Sequence, residues 1–198
     1  MPTGVAILDP RTQLFDAAER VLLREGQSAL TSRAITAEAG CAKGVLHRHF
    51  TDIDAFLAEL VLDRIGRINI QAGDLLDNAG IGNLVVYLTG ALENVFGPVA
   101  LAILGLVISR DALRARLRET TPTGVPLLAQ AKTMIASYLR AEQELGRIDA
   151  GADVETLALT LIGAGHLLFA GREGTPPTEE EVRKVVTAVL ADVLPQPR

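Results

Sequence analysis

The chain has 198 residues, 48% of them hydrophobic, which is enough apolar material for a sizeable core and excludes disordered and fibrous classes. A net charge of −5 excludes binding to nucleic acid through general basicity, so any contact with an anion must be local. A single cysteine, Cys41, excludes a disulfide-stapled scaffold and fits a reducing compartment.

The first nine residues have no basic stretch leading into an apolar run, so they read as a flexible arm rather than a signal peptide, and the chain is expected in the cytoplasm. Asp9 then offers a cap and Pro10 a first helical residue, opening a helix with the stripe Leu14, Ala18, Val21 and Leu22 that ends at Gly26. A second, short helix follows the capping Thr31, turns Ala34, Ile35 and Ala39 inward and stops at Gly40. A third runs through Lys43–His49, and Asp52 caps a fourth that reaches about residue 72. Two short helices around a glycine-bearing turn form a helix-turn-helix pattern.

The polar stretch Gly73–Gly82 marks a change of module. Beyond it, Leu84–Phe96, Val99–Glu119, Val125–Glu144, Val154–Ala170 and Glu179–Leu194 each have helical periodicity, and Thr178 with Glu181 forms a capping box. The longest apolar run, Pro98–Ile108, is shorter than the ~18 residues that span a bilayer and reads as a core helix, with no membrane as partner. The class is all-α, about nine helices in total. The division is an arm at 1–9, a helix-turn-helix domain at 10–55 and a larger bundle at 56–198.

Residues 39–56 concentrate Cys41, His47, His49 and the basic Lys43 and Arg48. A metal site is disfavoured, because two histidines two residues apart point about 200° apart on a helix. A Cys41–histidine nucleophile lacks a third residue to orient the base, and Cys41 reads as a small buried side chain. The remaining reading is anion contact. Lys43, His47 and Arg48 face outward while Leu46 and Phe50 turn in, and the start of the second helix offers Thr31, Ser32 and Arg33 with unpaired backbone N–H groups. No triad, phosphate loop or metal cluster supports an enzyme, and no cofactor is expected.

The run from Leu30-Thr31-Ser32-Arg33 through Ala39-Gly40-Cys41-Ala42-Lys43-Gly44-Val45-Leu46-His47-Arg48-His49-Phe50 to Phe56 resembles the DNA-binding module of the tetracycline-repressor-like (TetR-type) transcriptional regulators. Gly40, Gly44, Leu46, His49 and Phe50 fall at the family's offsets together, and the match covers roughly residues 10 to 60. The resemblance implies a DNA contact surface of Thr31, Ser32, Arg33, Ala42, Lys43, Gly44, Val45, His47 and Arg48, with His49 packing or hydrogen-bonding near the module's core. Three positions depart from the pattern: Ala42 stands for a capping serine, His47 for a phosphate-contacting tyrosine, and Ile53, between Asp52 and Asp54, for a lysine. Contact with DNA that is weaker than typical, or that is pH-sensitive through His47, is the expectation.

The resemblance further implies that the C-terminal bundle binds a small effector and that the last two helices pair with those of a second copy. Leu161, Gly165, Leu168, Val182, Val186, Val189 and Val193 are the expected dimer interface, with an intrachain core as the alternative for both helices. Asn69, Tyr87, Asn94, Gln130, Met134, Tyr138 and His166 are the expected effector contacts. With 4% aromatic residues the cavity is expected to be aliphatic and its effector hydrophobic. The reading is a homodimeric repressor released from a palindromic duplex-DNA operator by a small hydrophobic molecule. The rival is a ligand-binding helical bundle in which DNA binding is weakened or lost.

Overall fold

The computed structural model describes residues 9–121, 124–171 and 175–194; apart from Asp9, the expected arm lies outside them. The described residues form ten α-helices and no strand: α1 (Pro10–Glu25), α2 (Ser32–Glu38), α3 (Val45–His49), α4 (Ile53–Asp77), α5 (Leu84–Val95), α6 (Pro98–Ser109), α7 (Asp111–Leu117), α8 (Pro126–Glu144), α9 (Val154–Ala170) and α10 (Glu179–Leu190). Among them, no single helix is long and apolar enough to cross a membrane.

The helix starts follow local chemistry. Asp9, Thr31, Asn83, Asp153 and Thr178 each accept backbone N–H groups of the turn they cap, and Thr178 closes its capping box with Glu181. Three elements differ from expectation. The segment 99–119 is two helices, because Arg110 adopts extended backbone (φ −117°, ψ 98°) where neither glycine nor proline signals a break. The Arg114 guanidinium donates to the freed Ile108 carbonyl there. Helix α4 runs on to Asp77 because Leu75 continues the buried stripe of Ile68, so Gly73 lies inside it. Helix α10 stops at Leu190, and Val193 instead accepts the Asp149 N–H at 2.9 Å through its carbonyl.

The chain forms two compact units, one gathering Met1–Asp63 with Pro98–Pro122, the other Arg64–Gly97 with Thr123–Arg198. Helices α6 and α7, which the sequence division assigns to the C-terminal bundle, pack with the N-terminal helices. The first unit buries Leu14, Val21, Ile35, Leu46, Leu57 and Leu60 with Ile103 and Leu113. At its centre Phe15, Phe50 and Phe56 meet at centroid distances of 5.0 to 6.0 Å, and Arg11 caps the Phe50 ring at 5.0 Å. The apolar run that begins α6 is core, with Ala100, Ile103, Leu104, Leu106 and Val107 buried. In the second unit α5 packs on α10, and α9 on α8 and α10, around Leu88, Leu92, Ile135, Leu139, Val182 and Val186. Inside α4, a Cβ added at Gly66 or Gly73 would meet nothing within 4 Å.

Candidate nucleic-acid interface and effector cavity

The turn between α2 and α3 is built by the backbone. Gly40 takes φ +66°, a left-handed conformation that a side chain disfavours, although a Cβ there would meet nothing within 4 Å. The Cys41 N–H then donates to the Thr36 carbonyl at 3.0 Å. Helix α3 begins at Val45, so Lys43 and Gly44 belong to the turn that leads into it, and no side chain caps its first turn, as Ala42 foreshadows. Leu46 and Phe50 are its anchors, 0% and 4% exposed.

Thr31, Arg33, Ala42, Lys43, Gly44, His47 and Arg48 are exposed, and Ser32 and Val45 half-buried. His49 is exposed as well, not in the core as expected, and its ring lies 6.4 Å from that of the buried Phe50. Charge pairing separates this face from its surroundings. On α1, Arg11 pairs with Glu59, Arg20 with Glu38, and Arg24 with Glu25 and Glu38. On α7, Arg114 pairs with Asp111 and Arg116 with Asp52, while Arg110 just before it pairs with Asp54. Arg33, Lys43 and Arg48 have no carboxylate or hydrogen-bond partner among the described residues. The two aspartates flanking Ile53 are thus occupied within the unit. Ala55 N–H, and then Arg116, hold the Asp52 carboxyl below its usual range.

The second unit contains an open cavity of about 250 Å³ between the end of α4, one face of α5 and Met134 of α8. Its ten lining residues are Gln71, Asp74, Leu75, Asn78, Val86, Tyr87, Gly90, Ala91, Asn94 and Met134. Half of them carry an amide, hydroxyl or carboxylate, so this is not the aliphatic cavity the sequence suggests. Tyr87, Asn94 and Met134 are the expected contacts that line it. Asn69 and Gln130 are hydrogen-bonded to each other instead. His166 lies against Phe96, with ring centroids 6.1 Å apart. Tyr138 is fully buried, and burial first, then the neighbouring Glu142, push its phenol far above the ordinary tyrosine range.

Sequence reading missed Gln71, Asp74 and Asn78, which share a helical face at the i, i+3, i+7 spacing. It also missed Glu142, a fully buried carboxylate that accepts the Gly80 N–H at 3.2 Å and faces Arg147 at 3.2 Å. Arg147 in turn donates to the Gly82 carbonyl at 2.7 Å, which ties the turn after α4 to the turn after α8. The spacing of Tyr138 and Glu142 on one face of α8 is the signal that was available.

The expected dimer positions lie largely inside the chain. Leu161, Val182 and Val186 are 0% exposed, and a Cβ on the buried Gly165 would stand 2.7 Å from the Phe96 ring. Leu168, Val189 and Val193 are half-buried. The intrachain alternative therefore describes the apolar stripes of α9 and α10, because α5 covers α10 and α8 covers α9. The outer face of α9 carries Leu159 at 61% and Leu167 at 75% exposure, with the exposed Gly163 between them.

Residues 14–60 match the model of the bacterial regulatory proteins of the tetR family. No curated protein matches the chain. Several solved structures share its fold. A TetR transcriptional regulator from Agrobacterium tumefaciens is 21% identical, with a TM-score of 0.66 over 94% of this chain and 95% of that one. A transcriptional regulator from Rhodococcus is 17% identical, with a TM-score of 0.71 over 94% and 99%. SmeT, the repressor of the multidrug efflux pump SmeDEF of Stenotrophomonas maltophilia, is 17% identical, with a TM-score of 0.64 over 94% and 91%.

Proposed function

We propose that this chain, a TetR-type DNA-binding regulator by its N-terminal module and its fold, is an effector-responsive repressor that acts as a homodimer. The observation that carries the reading is the set of cations on α2, α3 and the turn between them that have no partner among the described residues. Where nearly every other described arginine of the first unit is neutralised, Arg33, Lys43 and Arg48 have no partner among the described residues. Cations left free on a helix-turn-helix face suit phosphates, and each one neutralised on duplex DNA steepens the salt dependence of binding by about 0.9. Thr31, Ser32 and the backbone N–H groups at the start of α2 add further donors, and His47 stands beside Arg48 on α3.

The second copy meets the outer face of α9, where Leu159, Gly163 and Leu167 form a stripe with a small residue at its middle that allows close helix approach. A dimer presents two α3 helices to half-sites about 34 Å apart, hence a palindromic operator. The cavity at the end of α4 receives the effector. Repression is the sense in which SmeT, of the same fold, is described. As a DNA-binding regulator the protein works in the cytoplasm.

The experiment is fluorescence anisotropy of the purified protein on fragments of its own upstream DNA at several salt concentrations. Saturable, salt-dependent binding that favours one fragment supports the reading. Binding by a Lys43→Ala/Arg48→Ala variant with unchanged affinity and salt slope would remove α3 from the interface and favour the bundle without DNA binding.

A further inference from the structure

We infer that the effector is a small organic cation whose positive head is held at Asp74. The inference rests on the reading of the cavity as the effector site. It follows from the electrostatics of the cavity's α4 wall. Asp74 lies in the last turn of a 25-residue helix, where the free carbonyls carry the negative end of the helix dipole. Helices ordinarily place Lys, Arg or His there; this one has no basic residue in its last turn and has two acids, Asp74 and Asp77. Acids at a helix's negative end are unfavourable in the empty protein. Both aspartates are exposed, and neither has an ion-pair or hydrogen-bond partner for its carboxylate among the described residues. No basic side chain lines the cavity.

The missing positive charge is therefore one that a ligand can bring, and the other walls fit its remaining parts. Tyr87 brings an aromatic ring to the lining, which suits a cation, and Met134 and Val86 bring apolar surface that suits its body. At about 250 Å³ the cavity lies just below the usual ~300–1,000 Å³ of drug-sized sites, so the ligand is a small amine or quaternary ammonium compound.

The test uses the full chain and three probes of similar size, benzyltrimethylammonium, benzyl alcohol and phenylacetate, followed by thermal shift and titration calorimetry. Benzyltrimethylammonium binds roughly fivefold tighter than benzyl alcohol, with a preference that shrinks as salt rises, and phenylacetate binds least. Asp74→Asn brings the cation to the level of the alcohol. Asp74→Lys abolishes cation binding and raises the melting temperature of the unliganded protein, because it complements the negative end of α4. Cation binding undiminished in both Asp74 variants overturns the inference. Ala91→Phe, which fills the cavity, separates the two readings. If all three probes bind equally and Ala91→Phe removes them, the charge preference falls and the effector site stands. If no probe binds, or Ala91→Phe changes nothing, the effector site falls with it.

Discussion

The α2–α3 face and the cavity at the end of α4 both hold charges with no partner among the described residues, yet they are opposite in sign and differ in construction. The first is an exposed surface: Arg33, Lys43 and Arg48 stand on two short helices and the turn before α3, which Leu46 and Phe50 anchor in the core. The second is concave, with Asp74 set into a wall that also carries amides, a tyrosine ring and a methionine. The first contrasts with α1 and α7, whose arginines are mostly paired with carboxylates. The contrast teaches that charge count is a poor guide to function in a chain of net charge −5, whereas the pattern of which charges lack a partner is a good one.

The two regions come apart most sharply if the dimer is broken. Leu167→Glu puts a charge in the proposed interface, so the protein should run as a monomer by light scattering. Its operator affinity should fall by on the order of a thousandfold or more, since half of all DNA contacts go with the second copy. Benzyltrimethylammonium binding should be unchanged. Val186→Glu is the contrasting control: because Val186 is 0% exposed inside the chain, the variant should lose several kcal/mol and both activities together, seen as loss of the cooperative melt.

Removing the cations alone is the next largest step. Lys43→Ala/Arg48→Ala should flatten the slope of log affinity against log salt by roughly 3.6 over the two half-sites and leave the melting temperature within about a degree. Gly40→Ala should cost roughly 1 to 2 kcal/mol, because Ala must take φ +66° even though space is available, and a thermal melt should report it as a shift with the cavity's probe binding retained.

The smallest effect concerns Asp52. Its folded pKa lies below that of the unfolded chain, so its contribution is present above the unfolded value, about 3.9, and is lost as pH falls through the lower folded value. Asp52→Asn should therefore lower the melting temperature slightly at pH 7 and narrow its difference from the parent as pH drops below about 4. A difference that grows on acidification would show the sign to be wrong.

Much of the fold is legible in the sequence because capping is local: Asp9-Pro10, Thr31, Asp52 and the Thr178–Glu181 box each announce a helix from a few adjacent residues. The break at Arg110 is not legible, since it is held by contacts of Arg110 with Asp54 and of Arg114 with the Ile108 carbonyl that arise only on packing. Periodicity identifies the apolar stripes of α9 and α10 but cannot say whether a helix of the same chain or of a second copy covers them. Leu161, Val182 and Val186 fell on the wrong side of that ambiguity. The cavity suffered from a related blindness. Asn94 and Tyr87 stand out as polar residues on apolar helices, whereas Gln71, Asp74 and Asn78 look like ordinary surface on a polar helix end until a concavity forms beside them.

Helix α4 is one uninterrupted helix of 25 residues. In mechanical terms it is a beam about 37 Å long, and a beam relays a load only as well as its softest section allows. It contains two such sections, Gly66 and Gly73, each roughly 1 kcal/mol less favourable in a helix than alanine. Neither is demanded by packing, since a methyl group at either site would touch nothing. Compliance is thus what the glycines give this helix, one near its middle and one immediately before Asp74. Alanine at both would yield a stiffer and more stable beam, in which strain entering at the cavity end is shared along the whole length instead of being absorbed within a turn or two.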